Sequence, residues 1–357
     1  MPADALLQVE SVSKRFKVGG RMLHAVESVS FEVAAGQTLG VVGESGSGKS
    51  TLGRIALRLL PADAGRVTFD GQDLADLGPK QLRSRRRDMQ MIFQNPLASL
   101  NPRMTMGEAI EDAMIIQKVG GSATARRARV VELLERVGLP GSVRDAHPFE
   151  LSGGQQQRVG IARALSLSPK LVVCDEPVSA VDVSIQVQII ELLQELQQEL
   201  GIAYVFISHN LAVVQYLSDQ VLVLYLGEVV EQAPADQLFE APQHPYTRAL
   251  IDSVLTIPKS ASERRIIRAP RGEIPSPLSP PSGCPYHPRC PIATSRCRDE
   301  KPALRLVAPG RLAACHYPLA AHDGTAAAVP DAAVDGAADG AVEGASPELR
   351  SASQIGA

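Results

Sequence analysis

Apolar residues alternate with polar ones at Leu7, Val9, Val12 and Phe16, and again at Val29, Phe31 and Val33. That period of two predicts strands with one buried face. Gly36 then turns the chain. A second kind of segment is almost wholly apolar: Leu39-Gly40-Val41-Val42, Met89-Gln90-Met91-Ile92-Phe93 with its one glutamine, Leu171-Val172-Val173-Cys174 and Ala203-Tyr204-Val205-Phe206-Ile207. Such runs suit strands covered on both faces, as in a parallel sheet. Arg66–Phe69 predicts a short strand before a turn at Asp70-Gly71, and Val221–Leu224 pairs with Glu228–Glu231 around Leu226-Gly227 to complete the sheet. Between Met106 and Leu167 the period changes. Val130, Leu133, Leu134 and Val137 recur at helical spacing, as do Ile189, Leu193, Leu196 and Leu200 within Ile185–Leu200. The second stripe is too short for a coiled-coil zipper and reads as core. The chain is therefore expected to be α/β, a mixed sheet with flanking helices. A helical subdomain over about residues 96–168 is inserted between two of its strands.

The chemistry-bearing residues fall where the apolar runs stop. Gly43-Glu44-Ser45-Gly46-Ser47-Gly48-Lys49-Ser50 follows the first run, with Thr51 next, and matches G-x-x-x-x-G-K-[ST]. Its glycines allow successive N–H groups to face one anion, and the helix starting near Lys49 adds the positive end of its dipole. Lys49 is placed for β- and γ-phosphates, and the Ser50 hydroxyl for Mg²⁺. The second run ends on Gln94. The third ends on Asp175-Glu176, where Asp175 suits Mg²⁺ and Glu176 an attacking water. The fourth ends on Ser208-His209, at the side of a parallel sheet where ligands bind. Ser152 caps a helix beginning near Gln155, with Gly153 and Gly154 leaving backbone N–H groups accessible, a second helix end open to an anion. Phe16 can stack on an adenine ring or pack as an ordinary strand aromatic. Cys174 reads as a small buried apolar residue, and Arg83, Arg85, Arg86 and Arg87 as a solvated helix face.

Composition narrows the partners. The 357 residues carry a net charge of −3, which gives no reason to expect nucleic acid. Met1–Val12 has no basic start before an apolar core, so no signal peptide is expected. Tyr204–Val230, the most apolar region, is broken by His209, Asn210, Asp219 and Gln220, so no membrane span is expected. Beyond Pro258 the character changes. Pro270–Pro281 is proline-rich, and Cys284, Cys290, Cys297 and Cys315 follow as C-x5-C-x6-C-x17-C. Four thiolates can ligate zinc or an iron–sulfur cluster, with His287 and His316 as alternates; the spacing is not that of a C-x2-C ribbon. Residues 320–357 are rich in Ala, Gly, Asp and Pro with few large apolar side chains, and are expected to stay disordered.

Taken together, these motifs resemble the ATP-binding subunits of ABC transporters, over roughly Leu6 to Leu255. The phosphate loop at 43–50, Gln94, the signature Leu151-Ser152-Gly153-Gly154-Gln155-Gln156-Gln157-Arg158, Asp175-Glu176, a D-loop Ser179–Asp182 and a switch histidine His209 carry the likeness. The resemblance implies a P-loop ABC-type ATPase core over 1–257 that binds ATP and Mg²⁺. It implies Phe16 against the adenine, Glu176 as base, His209 on the γ-phosphate and Gln94 sensing Mg²⁺. It also implies a head-to-tail pair of subunits, in which Ser152, Gly153, Gly154 and Gln155 of one face the ATP held by the other, with Asp182 in the D-loop. None of the motifs is degenerate, so the chain should contribute competent halves to both sites.

A narrower likeness, in Phe93–Met104 and His244-Pro245-Tyr246-Thr247, is to the oligopeptide/dipeptide/nickel importer branch. It implies a motor on the cytoplasmic side of a bacterial inner membrane, two permeases, an external solute-binding protein and a second, homologous ATPase, the last suggested by Lys49–Arg54. Peptide, nickel, and glutathione-like or opine-like solutes all fit that branch. A soluble ABC ATPase is the alternative. Some relatives carry a four-iron four-sulfur cluster in a cysteine-bearing extension like 258–319. For Cys284, Cys290, Cys297 and Cys315 that cluster, zinc and free thiols all stay open.

Overall fold

The structure is a computed structural model that describes residues 5–95, 100–179, 181–253 and 272–319. Pro96–Ser99, Ala180, residues 254–271 and the tail expected to be disordered lie outside the described residues. All described residues belong to one compact unit.

Two sheets build it. β1 (Ala5–Val18) and β2 (Arg21–Ala34) form a long antiparallel hairpin, and β4 (Ala64–Phe69) and β5 (Gln72–Asp73) extend it in the order β2-β1-β4-β5. The second sheet has β3 (Thr38–Val42) between β8 (Ala203–Ile207) and β9 (Gln220–Tyr225), with β7 (Leu171–Asp175) and β6 (Met89–Ile92) beyond β8. These five run parallel, so the ends of β3, β6, β7 and β8 open on one edge. That common edge is what gathers the site.

The all-apolar runs are explained by the two faces of this sheet. Leu171 and Val173 of β7, with Val205 and Ile207 of β8, pack toward the antiparallel sheet and α1 (Lys49–Ala56). Val172, Cys174, Tyr204 and Phe206 face the opposite core, which includes α6 (Val183–Leu200). Each residue is buried on one face or the other, so alternation disappears from the sequence. Gly40 lets α7 (Leu211–Leu217) sit close on β3: a Cβ there would meet Val214 Cγ1 at 2.6 Å.

The inserted helices are α3 (Met106–Ile116), α4 (Ala123–Arg136) and α5 (Gly153–Leu165), with α2 (Pro79–Arg85) before them. Val130, Leu133 and Leu134 are buried as the periodicity predicts. Leu200 is not: it is 44% exposed in the last turn before Gly201 ends the helix at φ +65°. Within the basic run, Arg85 is half-buried and donates to Gln72, so it braces the β4–β5 turn rather than standing free in solvent.

The sheet does not finish at β10 (Glu228–Pro234). β12 (Arg311–Ala313) pairs with β10, and β11 (Arg305–Ala308) pairs with β12. These strands are short, and Leu306 is 65% exposed, so they lack the apolar alternation that would reveal them. The cysteine-bearing segment thus continues the nucleotide-binding sheet. α8 (Ala235–Glu240), α9 (Pro245–Asp252) and α10 (Ser295–Asp299) complete the described α-helices.

Candidate active site

The phosphate loop leaves β3 and enters α1 through left-handed or extended glycines: φ is +152° at Gly43, +79° at Gly46 and +98° at Gly48. Two of these are also close approaches. A Cβ on Gly43 would stand 2.2 Å from Leu224 O, and one on Gly48 2.1 Å from Ala25 O. Only glycine fits, and the loop stays open as an anion cradle. Lys49 is buried, and its Nζ donates to Gly43 O at 2.8 Å and Glu44 O at 2.9 Å. Burial lowers its pKa, opposed by the carboxylates of Glu176, Asp175 and Glu44. Ser47 Oγ is buried with no hydrogen-bond partner among the described residues, a polar atom that the loop itself does not satisfy.

Ser50 Oγ donates to Asp175 Oδ1 at 2.7 Å. Burial raises the Asp175 pKa, and the Ser50 hydrogen bond opposes that. Two hard oxygen donors beside the phosphate cradle, one a partly desolvated carboxylate, fit a Mg²⁺ ion. Glu176 follows with φ +48°, an unusual backbone for a residue with a side chain, at the point where β7 ends. Both its carboxylate oxygens are engaged: Gln94 Nε2 donates to Oε2 at 2.8 Å, and His209 Nδ1 lies 3.3 Å from Oε1. His209 is 61% exposed.

One cleft of about 590 Å³ is lined by Phe16, Ser45, Gly46, Gly48, Lys49, Ser50, Thr51, Gln94, Glu176 and His209. This size suits a nucleotide. Phe16 is half-buried on its wall, beside His24 and Leu23. A second cleft of about 700 Å³ shares Gln94, Glu176 and His209 and reaches Gly153 at the start of α5. There Ser152 accepts from Gln155 N, while Gln155 Oε1 accepts from Ser152 N at 2.9 Å, closing a capping box. Gly154 lets α5 approach α6: a Cβ would meet Ile185 Cγ2 at 2.7 Å. Asp182 is exposed at the head of α6.

Residues 26–179 match the family described as ABC transporter, and residues 230–297 the one described as oligopeptide/dipeptide transporter, C-terminal region. A putative peptide import ATP-binding protein of Brucella ovis is 49% identical over 316 residues, 88% of this chain and 98% of the relative. The chain belongs to the ATP-binding subunits of ABC transporters. As such it is an ATP-hydrolysing subunit, and membership implies membrane permease subunits and a substrate-binding protein as its partners. The oligopeptide transport ATP-binding protein AppF of Bacillus subtilis is 45% identical over 321 residues, 88% of this chain and 97% of that one. Among solved structures, the ATP-binding cassette MJ0796, bound to ADP and Pi as a dimer in a post-hydrolysis state, superposes with a TM-score of 0.60 at 32% identity. The match covers 64% of this chain and 98% of that one. The cbiO1 subunit of Clostridium perfringens gives 0.59 at 29% identity, over 66% and 91%. Among the described residues no helix of this ABC ATPase is long and apolar enough to cross a membrane.

The four cysteines of the extension line one small cavity with His244, Tyr286, His287 and His316. Burial pushes the Cys290 thiol up to about 11 and the Cys315 thiol up to about 12, and raises Cys284. The donor set suits a thiolate-bound centre in kind and number. However, no group of three or more His, Cys, Asp or Glu among the described residues has the arrangement of a metal site. Cys174 is fully buried, its thiol raised by desolvation, in line with a core role.

Sequence reasoning missed three residues at the site. Tyr246 Oη accepts from Glu44 N at 2.9 Å, Arg289 pairs with the Glu44 carboxylate, and Pro277 lines the nucleotide cleft. All three lie far along the chain. Tyr246 and Pro277 lie in stretches the sequence does single out, His244–Thr247 and Pro270–Pro281, but nothing there ties them to the phosphate loop; for Arg289 the available signal was Glu44, an acidic residue in a loop meant for anions.

Proposed function

We propose that this chain is a motor subunit of a bacterial peptide importer, working from the cytoplasmic side of the inner membrane. The observation that carries this reading is the shared cleft in which four parallel strand ends bring Lys49, Ser50, Gln94, Asp175, Glu176 and His209 together. The cradle and Lys49 bind the triphosphate, and Phe16 stacks on the adenine. Ser50, Asp175 and Gln94 hold Mg²⁺, which supplies charge neutralisation on the β- and γ-phosphates. Glu176 accepts a proton from the attacking water as that water's oxygen bonds to the γ-phosphorus, while the bond from the γ-phosphorus to the β–γ bridging oxygen breaks and ADP leaves beside inorganic phosphate. His209 holds the γ-phosphate.

The exposed capping box at Ser152 supports action in trans, with its helix end and Asp182 facing ATP on a second ATPase, a homologue of this chain. ATP then closes the pair, and hydrolysis reopens it. Peptide as cargo rests on the names of the relatives and on the matched C-terminal region. The test is uptake into proteoliposomes carrying the full assembly, with ATP inside and labelled di- and oligopeptides outside with the binding protein. ATP-dependent peptide accumulation is expected; accumulation of nickel or a glutathione-like solute instead would overturn the peptide assignment.

For Cys284, Cys290, Cys297 and Cys315 a four-iron four-sulfur cluster is proposed, with zinc and free thiols as the other two readings; their convergence on one cavity supports it, while the arrangement among the described residues is not that of a metal site. Anaerobic purification from iron-replete cells should give absorption near ~400 nm with iron and sulfide. Protein free of both would refute the cluster.

A further inference from the structure

Glu44 places a carboxylate in the loop whose backbone N–H groups collect an anion, so its charge works against the incoming triphosphate. The C-terminal extension answers it. Arg289 Nη1 donates to Glu44 Oε2 at 2.6 Å and Arg289 Nη2 to Glu44 Oε1 at 2.9 Å, a two-pronged pair spanning 245 residues of sequence. The arginine side chain is 5% exposed. Its guanidinium lies 5.9 Å from the ring centres of both Tyr225 and Tyr286. Tyr246 packs on those rings at 4.7 and 5.3 Å, and its hydroxyl accepts from Glu44 N. Glu44 is thus held by side chain and by backbone, both times from beyond the phosphate-loop region. Pro277 of the same extension reaches the nucleotide cleft.

From this geometry we infer that Arg289 is a positioning residue for ATP: it neutralises Glu44 and holds the phosphate loop in its receptive shape. The fork matters as much as the charge. A planar guanidinium fixes both carboxylate oxygens, which an ammonium cannot do. The arginine acts through Glu44, not on the reacting atoms. The inference rests on the reading of this cleft as the ATP site.

Steady-state ATP hydrolysis by the assembled pair of ATPases, with each substitution made in this full-length chain, tests it. Arg289→Gln is expected to raise KM for ATP about tenfold while kcat changes less than about twofold, since binding and not chemistry loses support. Adding Glu44→Gln to that variant removes the stranded carboxylate, and KM is expected to return to within about threefold of wild type. A merely structural arginine would give no such return. Where Arg289→Gln fails to fold, Arg289→Lys takes its place, with a smaller rise in KM that Glu44→Gln again reverses. A wild-type KM in the arginine variant, or a raised KM that Glu44→Gln leaves raised, would overturn the inference. Absence of ATP hydrolysis in the wild-type pair would overturn the site reading instead.

Discussion

Gln94 Nε2 donates to Glu176 Oε2 across 2.8 Å, joining the ends of two adjacent parallel strands. With His209 Nδ1 3.3 Å from the other oxygen, the carboxylate is held from two sides. On the proposal that Gln94 also serves Mg²⁺, the glutamine would exchange this partner when the ion arrives.

Glu176→Gln keeps the size of the side chain and removes its basicity. ATP affinity should stay within about threefold of wild type, and turnover should fall by about 10²–10⁴, the usual worth of a placed general base. Fluorescent-nucleotide titration and phosphate release measure the two. Near-normal hydrolysis in this variant would remove Glu176 from the role of base.

The Ser152 cap has two consequences that separate cleanly. Loss of its hydroxyl in Ser152→Ala should cost about 1 kcal/mol, a drop in Tm of roughly 2–4 °C for a domain of this size. If the same helix end also serves a partner's nucleotide, hydrolysis by the assembled pair should fall by much more than that stability loss accounts for. A lowered Tm with full activity in the assembly would leave the cap purely structural.

Acid sensitivity should trace in part to His244. Burial pushes its imidazole down to about 3, against about 6.5 for the unfolded chain. Between those values the unfolded state holds the extra proton. The contribution is therefore intact above pH 6.5 and is lost progressively as pH falls toward 3, by up to ~1.4 kcal/mol per unit. Glu231, which accepts from the N–H groups of Gln243 and His244, acts in the opposite direction because burial raises its pKa; Arg311 stands 3.8 Å from it. Urea unfolding at pH 7.5 and 5.5 should show a loss in wild type that shrinks by about 1 kcal/mol in His244→Asn, which keeps an acceptor for Tyr246 N. An unchanged loss would exclude the histidine as its source.

Much of the site could be read from the chain because its residues sit at strand ends, and apolar runs mark strand ends. Gly43–Ser50, Gln94, Asp175-Glu176 and His209 each follow such a run, and a parallel sheet brings all four to one edge. Ser152 was legible for a local reason, since a cap and its Gln155 partner are three residues apart. The Arg289–Glu44 pair, by contrast, is set only by how the extension folds back, and β11 and β12 are too short and too exposed to announce that return. Convergence of the four cysteines was equally hidden: spacing gave their number, while their common cavity is a property of tertiary packing.

The central claim, that ATP hydrolysis here drives import through membrane permeases, is tested most directly by recovering tagged chain from its own membranes in mild detergent. Mass spectrometry of what accompanies it decides the matter. The account predicts two multi-span permeases, a second ATPase and a solute-binding protein, with a bound peptide eluting from the last. Ribosomal or DNA-repair proteins without any permease would contradict it and leave only the ATPase chemistry.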